Sequence, residues 1–152
     1  PMIGDWITYD TSVPQVAAFV ERVYLKHDFN GFKGDPRYVQ NADSQHMFSK
    51  LRSSIGGMYS WRRAHATSES EKTRTIREAD FTFRQAWALC PHSPEAVFRY
   101  VQLLLNQGRK ADALVIAETA GKFTSSVPGE IEQFHRLAEG LKKVQEKAQK
   151  AK

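Results

Sequence analysis

Two prolines that stand 34 positions apart, Pro94 and Pro128, constrain this chain more than any other feature. The residues that follow each proline are apolar at the same three offsets. The aligned pairs are Val97 with Ile131, Tyr100 with Phe134, and Leu103 with Leu137. A period of this length is typical of repeat proteins, whose units bury their apolar faces by stacking on their neighbours.

Small residues punctuate the same region at fixed positions. Alanine lets one helix approach another closely, and Gly108 can adopt the backbone conformation that ends a helix. The alanines are Ala79, Ala86, Ala113 and Ala120. Together with Phe83 and Pro91, this pattern resembles the tetratricopeptide repeat over residues 45 to 145. The resemblance implies an all-α fold of antiparallel helix hairpins, stacked as a short right-handed solenoid of about six helices.

Three segments follow from this interpretation. Residues 1–43 hold a helix from Pro14 to about His27 and a long loop that packs on the repeat array through its aromatic side chains, which are Phe29, Phe32 and Tyr38. Residues 44–127 hold two hairpins. Residues 128–152 form a capping helix with a basic tail.

The first hairpin is expected to be longer than the second. Asp43 or Ser44 should cap its first helix, which extends to about Ala66, and the second helix should run from Glu69 to Leu89. The first helix has an apolar periodicity formed by Met47, Phe48, Leu51, Ile55, Met58 and Tyr59. The second hairpin should comprise Pro94 to Gln107 and Lys110 to about Phe123.

The composition is that of a folded chain, with 41% hydrophobic and 26% charged residues. No apolar run approaches the roughly 18 residues of a membrane span, and the start lacks the features of a signal peptide. Because the chain opens at Pro1 with Ile3, Trp6 and Ile7 at once, we expect a longer parent polypeptide. Most of the net charge of +5 falls in the last eleven residues, which favours a solvated lysine tail over a nucleic-acid or lipid contact, since aromatic residues are not interleaved there.

The sequence offers no catalytic centre. The single cysteine, Cys90, falls on the apolar seam and is expected to be a buried structural thiol. No two histidines stand at metal-ligand spacing; they are His27, His46, His65, His92 and His135. We therefore predict no metal, no cofactor and no enzyme activity in this chain.

The repeat resemblance implies a concave partner-binding groove. Its positions fall on Lys50, Trp61, Glu95, Phe98, Gln102 and Asn106. Trp61 and Phe98 are either interface anchors or core residues, and the sequence does not separate these alternatives. A second candidate surface is the tip of the long hairpin, where four arginines could meet an anionic partner or simply face water. These are Arg62, Arg63, Arg74 and Arg77.

The segments IGDWITYDT, FKGDPRYVQ and FSKLRSSIGGMYSWR, followed by EADFTFRQAWALCPHSPEAVFRYV, resemble the soluble C-terminal portion of bacterial multi-spanning membrane proteins. Those proteins are related to glycosyltransferases of the protein O-mannosyltransferase type. This resemblance implies an extracytoplasmic location, with catalysis in the absent membrane portion; without it, the cytoplasm is the default. The predicted function is a non-catalytic protein-interaction scaffold within a larger bacterial protein. The alternative is an accessory domain that positions an acceptor substrate, and binding of nucleic acid or an anionic surface ranks below both.

Overall fold

The computed structural model describes residues 7–124 and 129–150, which form helices, turns and loops without a β-strand. The seven α-helices of this part are α1 (Val13–Val20), α2 (Pro36–Val39), α3 (Ala42–Ala64), α4 (Glu69–Leu89), α5 (Pro94–Asn106), α6 (Lys110–Ala120) and α7 (Glu130–Lys150). The predicted all-α class is thus confirmed. The expectations that concern Ile3, Trp6, Pro128 and Lys152 fall outside the described residues.

Helix α1 starts where the sequence predicts. The Ser12 hydroxyl accepts a hydrogen bond from the Gln15 amide, and the Gln15 side chain accepts one from the Ser12 amide at 2.7 Å. This reciprocal pair satisfies two amide donors that an open helix end would leave unpaired. The helix changes to a π-helical turn at Glu21–Leu25, so the expected single α-helix to His27 is instead two helical segments.

The long loop after this segment contains one element that the sequence analysis missed. Asp35 caps the short helix α2, accepting a hydrogen bond from the Arg37 amide at 2.9 Å. The described residues therefore contain seven α-helices, where about six were expected. The cap of α3 was also predicted wrongly, because Asn41, not Asp43 or Ser44, accepts the hydrogen bond from the Ser44 amide at 2.8 Å.

Helix α4 lies at the centre of the molecule. Helix α3 packs along it, α5 and α1 also contact it, α6 packs on α5 and α1, and α7 packs on α6. Every residue from Thr82 to Cys90 is buried. The aromatic residues of the loop pack against this core as predicted. With 23 and 21 residues, α3 and α4 exceed α5 and α6, which have 13 and 11.

The C-terminal end of α4 is buried, and its carbonyl groups find partners on three other elements. The Ser49 hydroxyl donates to the Ala86 carbonyl at 2.9 Å, Tyr24 to Ala88 at 2.9 Å, and Tyr38 to the Leu89 carbonyl at 3.0 Å. Burial raises the pKa of Tyr24 well above its usual value, which keeps the phenol protonated as a donor. A buried helix end without such partners would be destabilising.

A buried ionic network joins the two hairpins. The Asp80 carboxylate on α4 accepts hydrogen bonds from Tyr100 on α5 at 3.2 Å and from Arg109 at 2.8 Å, just before α6. Arg84, one turn further along α4, pairs with the same carboxylate and donates to the Tyr100 hydroxyl at 3.1 Å. This network fixes how the second hairpin sits on the first.

Candidate functional site

The apolar periodicity of α3 predicts a helix correctly, but most of its large apolar side chains face solvent. The most exposed are Met47, Leu51, Met58 and Trp61, between 57% and 67%. We define the α3 stripe as Met47, Leu51, Ile55, Met58 and Trp61. At 100° per residue these positions share one side of the helix. The α3 stripe is therefore a continuous apolar surface.

The opposite side of α3 packs on α4 and consists of small or polar residues. Its buried members are Gln45, Ser49, Ser53 and Gly56. A methyl group added at Gly56 would lie 2.9 Å from the Phe83 ring, so the two helices approach closely only because this position lacks a side chain. Side chains of α4 such as Phe83 fill the space between α3 and α4, whereas α3 contributes mainly small side chains to this contact.

A groove between α3 and α5 continues from the end of the α3 stripe. It comprises two adjoining cavities of about 570 Å³ each, which share Gly57 and Arg99. We call it the α3–α5 groove. Met58 and Trp61 line the first cavity, and Phe98 lines the second.

Four of the six predicted groove residues lie in the α3–α5 groove. Trp61 lines the first cavity, whereas Phe98, Gln102 and Asn106 line the second. Lys50 and Glu95 do not line either of these two cavities.

The exposure of Trp61 and Phe98 shows which of these two residues lies at the surface and which lies partly in the core. Trp61 is 63% exposed, so it is a surface residue. Phe98 is 37% exposed and its ring centroid lies 5.8 Å from that of Phe134 on α7, so Phe98 both supports the fold and contributes to the surface.

The Trp61 indole is held in place by its own helix end. Its ring stacks on His65 at a centroid distance of 4.1 Å, and the His65 Nδ1 atom lies 2.9 Å from the Trp61 carbonyl oxygen. An exposed aromatic side chain that is already ordered loses less conformational entropy when a partner covers it.

The arginines of the predicted hairpin-tip patch have different surroundings. Arg62 and Arg63 line the α3–α5 groove, and Arg62 also lies 3.6 Å from a Glu71 carboxylate oxygen. Arg74 is exposed on α4. The Arg77 guanidinium lies over the Tyr9 ring, 4.4 Å from its centroid. The positive charge that is relevant to the groove comes from Arg62, Arg63 and also Arg99, which the sequence analysis did not select.

Arg99 lines both cavities of the groove. A Cβ atom at Gly57 would lie 3.0 Å from its guanidinium, and the guanidinium also lies 3.3 Å from the Glu95 carboxylate. No carboxylate of the described residues lies within 4.0 Å of Arg63. The groove therefore combines an apolar wall with cationic groups.

The fold also assembles a cluster of potential metal ligands that the sequence analysis missed. The Cys90 sulfur lies 3.8 Å from His46 Nδ1 and 3.9 Å from His92 Nε2. Burial raises the pKa of the Cys90 thiol to about 12 and lowers the pKa of His92. In residues 7–124 and 129–150 this is the one group of three such donors close enough to share an ion. Spacing along the chain did not indicate it, because His46 is 44 positions from Cys90.

None of the helices in the described part of the chain is both long enough and apolar enough to cross a membrane. Comparison of the chain with protein-family models, with curated proteins and with solved structures finds no match.

Proposed function

We propose that this chain is a non-catalytic protein-interaction module, and that its α3–α5 groove binds a partner segment that presents apolar and acidic side chains. The observation that carries the proposal is the orientation of α3, whose apolar side chains face solvent beside an open groove. In this proposal the hairpins α3–α4 and α5–α6 stack as a tetratricopeptide-like, right-handed solenoid within a larger bacterial protein.

The apolar component follows from the α3 stripe. Met58 and Trp61 are 67% and 63% exposed and stand at the mouth of the groove. Contiguous exposed apolar surface is a common mark of interaction sites, and tryptophan is enriched among the residues that dominate binding energy. Burial of such surface contributes roughly 25 cal/mol per Å², from which the costs of association are subtracted.

The acidic component follows from the arginines. Guanidinium groups bind carboxylates with paired hydrogen bonds, and Arg62, Arg63 and Arg99 all line the groove. Two of these arginines already have carboxylate neighbours at 3.6 Å and 3.3 Å. Exposed ion pairs of this kind are weak, so a partner carboxylate can replace them at small cost.

One observation also favours the second candidate, an accessory domain that positions an acceptor chain or sugar for a membrane glycosyltransferase. The exposed Trp61 ring could stack on a sugar, and the amides of Gln102 and Asn106 lie in the same groove, hydrogen-bonded to each other at 3.0 Å. Apolar and acidic peptides remain the first choice, because the cationic groups and the α3 stripe serve no evident purpose for a neutral sugar.

The test is selection from a random peptide display library, followed by affinity measurement on individual peptides. We expect enriched peptides to combine large apolar residues with Asp or Glu. Trp61→Ala and Arg63→Glu should each weaken their binding by roughly tenfold or more. The control variant Arg74→Glu should bind normally, since it makes the same charge change as Arg63→Glu but lies outside the groove cavities.

Enriched peptides whose binding is insensitive to both groove variants would contradict the site. Binding to glycans on an array, lost in Trp61→Ala and accompanied by no peptide enrichment, would instead support the accessory-domain alternative. Circular dichroism establishes that each variant has kept its helices before its affinity is interpreted.

A further inference from the structure

We propose that His46, Cys90 and His92 form a binding site for a thiophilic divalent metal ion, with Zn²⁺ as the best fit. Cysteine sulfur and histidine nitrogen are both common ligands of zinc. The three donor atoms lie within 4.8 Å of one another. This site is separate from the proposed peptide groove, since His46 and Trp61 are 15 positions apart on α3, or about 22 Å along the helix axis.

The distances suit tetrahedral coordination. Zinc–sulfur bonds of about 2.3 Å and zinc–nitrogen bonds of about 2.0–2.1 Å place a sulfur and a nitrogen ligand roughly 3.6 Å apart. The two sulfur–nitrogen distances here are 3.8 and 3.9 Å. Small rotations of the side chains would close the remaining difference. His46 has the freedom to make them, because it is exposed on the first turns of α3.

The other two ligands are held by the end of α4. Cys90 is the residue at which α4 stops, and its amide donates to the Ala86 carbonyl at 3.2 Å. The His92 ring lies between two others, with centroids 5.3 Å from Phe123 and 5.4 Å from His46. A cysteine and a histidine on a hydrogen-bonded turn, together with an exposed histidine from another helix, provide both preorganisation and an access path.

Metal uptake by the cluster would be an exchange that starts from the Cys90 thiol and the two imidazoles. Metal binding would replace this S–H bond by a metal–sulfur bond and release the proton to solvent, while both imidazoles bind in their neutral form. The fourth position would be taken by water or by a carboxylate.

A bound ion would connect α3 to the turn between α4 and α5. The ion would crosslink these elements at the buried end of α4, where the thiol and the two imidazoles face one another without strong hydrogen bonds. We therefore expect metal binding to raise the thermal stability of the folded chain.

The experiment is titration of chelator-treated protein with Co²⁺, followed by displacement with Zn²⁺. We expect one equivalent of Co²⁺ to produce a thiolate-to-cobalt charge-transfer band together with the visible bands of tetrahedral cobalt. Zn²⁺ should abolish both and should raise Tm. His46→Gln, at an exposed position, should weaken binding by roughly tenfold or more while the protein stays folded. Cys90→Ser should remove the charge-transfer band.

His65→Gln is the matched control, since it removes another exposed histidine of the α3 region and should leave the cobalt spectrum unchanged. The proposal is overturned if folded protein shows no charge-transfer band at one equivalent. It is also overturned if His46→Gln binds as tightly as the unaltered chain, or if Zn²⁺ leaves Tm unchanged. Failure of the peptide groove would not affect these results.

Discussion

Helices α3 and α5 begin the two hairpins of this chain, yet they bury opposite kinds of side chain. Helix α5 buries apolar residues such as Val97, Tyr100 and Leu104, whereas α3 buries Ser49, Ser53 and its other small or polar residues. Most of the large apolar side chains of α3 remain in solvent. Apolar periodicity therefore predicts that a helix forms, but it does not show which side of that helix the fold covers.

Helix α3 buries small residues because of the side chains on the helix that packs against it. Helix α4 contributes Phe83 to its contact with α3, and the ring occupies the space above Gly56. A bulky residue on one helix and a glycine on the other allow close packing, so α3 needs no large side chain on that side. Steric complementarity with α4 therefore accounts for the orientation of α3.

The largest expected loss of stability comes from breaking the buried ionic network between the two hairpins. Asp80→Ala removes the carboxylate that binds Arg84 and Arg109, which leaves buried positive charge without its partner. We expect a loss of about 3–5 kcal/mol in the free energy of unfolding, measured by urea denaturation. Asp112→Ala breaks a more exposed pair with Arg109 and should cost less than about 1 kcal/mol. Equal losses in the free energy of unfolding for Asp80→Ala and Asp112→Ala would show that the buried ionic network is not the essential contact between the hairpins.

The next largest effect on stability compares the same substitution, leucine to alanine, on α5 and on α3. Leu104 is fully buried and Leu51 is 57% exposed. Leu104→Ala should cost about 3 kcal/mol because it leaves a cavity, whereas Leu51→Ala should change stability by less than about 0.5 kcal/mol. Denaturation midpoints of the two variants test this difference directly. A large cost at Leu51 would mean that the α3 stripe is covered in solution, for example by a second copy of the chain.

A smaller effect distinguishes the two adjacent glycines of α3. Gly56→Ala places a methyl group against the Phe83 ring, so overpacking should outweigh the gain in helix propensity by about 1 kcal/mol. At Gly57 the nearest atom belongs to the flexible Arg99 side chain. Gly57→Ala should therefore be neutral or stabilising by up to about 1 kcal/mol. Thermal unfolding of the pair would contradict this account if the order of their Tm values were reversed.

The smallest effect on stability concerns the two methionines of the α3 stripe. Met47→Gln and Met58→Gln replace side chains that are 63% and 67% exposed, so each should change the free energy of unfolding by less than about 0.5 kcal/mol. Binding of a hydrophobic dye to the folded protein should decrease in both variants. Unchanged dye binding would indicate that the stripe is not the accessible apolar surface.

Local signals predicted the second hairpin well. Pro94 lies in the first turn of α5, and Gly108, with φ of 73°, forms the turn before α6 as expected. Ser12 and Ser68 cap α1 and α4, and each accepts a hydrogen bond from the backbone amide three positions further on. These features depend on contacts within a few positions, so the sequence alone contains the necessary information.

The features that escaped prediction depend on residues distant in the chain. The orientation of α3 depends on Phe83, which is 27 positions from Gly56. The cluster of His46, Cys90 and His92 exists only because α3 packs along α4. The repeat resemblance supplied Trp61 and Phe98, which line the cavities between α3 and α5, but it did not supply Arg99, which lines both cavities through the packing of α5 beside α3.

The hydrogen bonds at the end of α4 have a consequence for how the molecule opens. Tyr24 and Tyr38 from the N-terminal region and Ser49 from α3 all cap carbonyl groups of the same helix end. If the N-terminal region detached, the two tyrosine donors would be lost and the buried carbonyls of Ala88 and Leu89 would lose their partners. We therefore expect amide hydrogens of α1, α3 and the last turns of α4 to exchange with solvent through one common opening event. The N-terminal region would then behave as part of a single cooperative unit with the first hairpin.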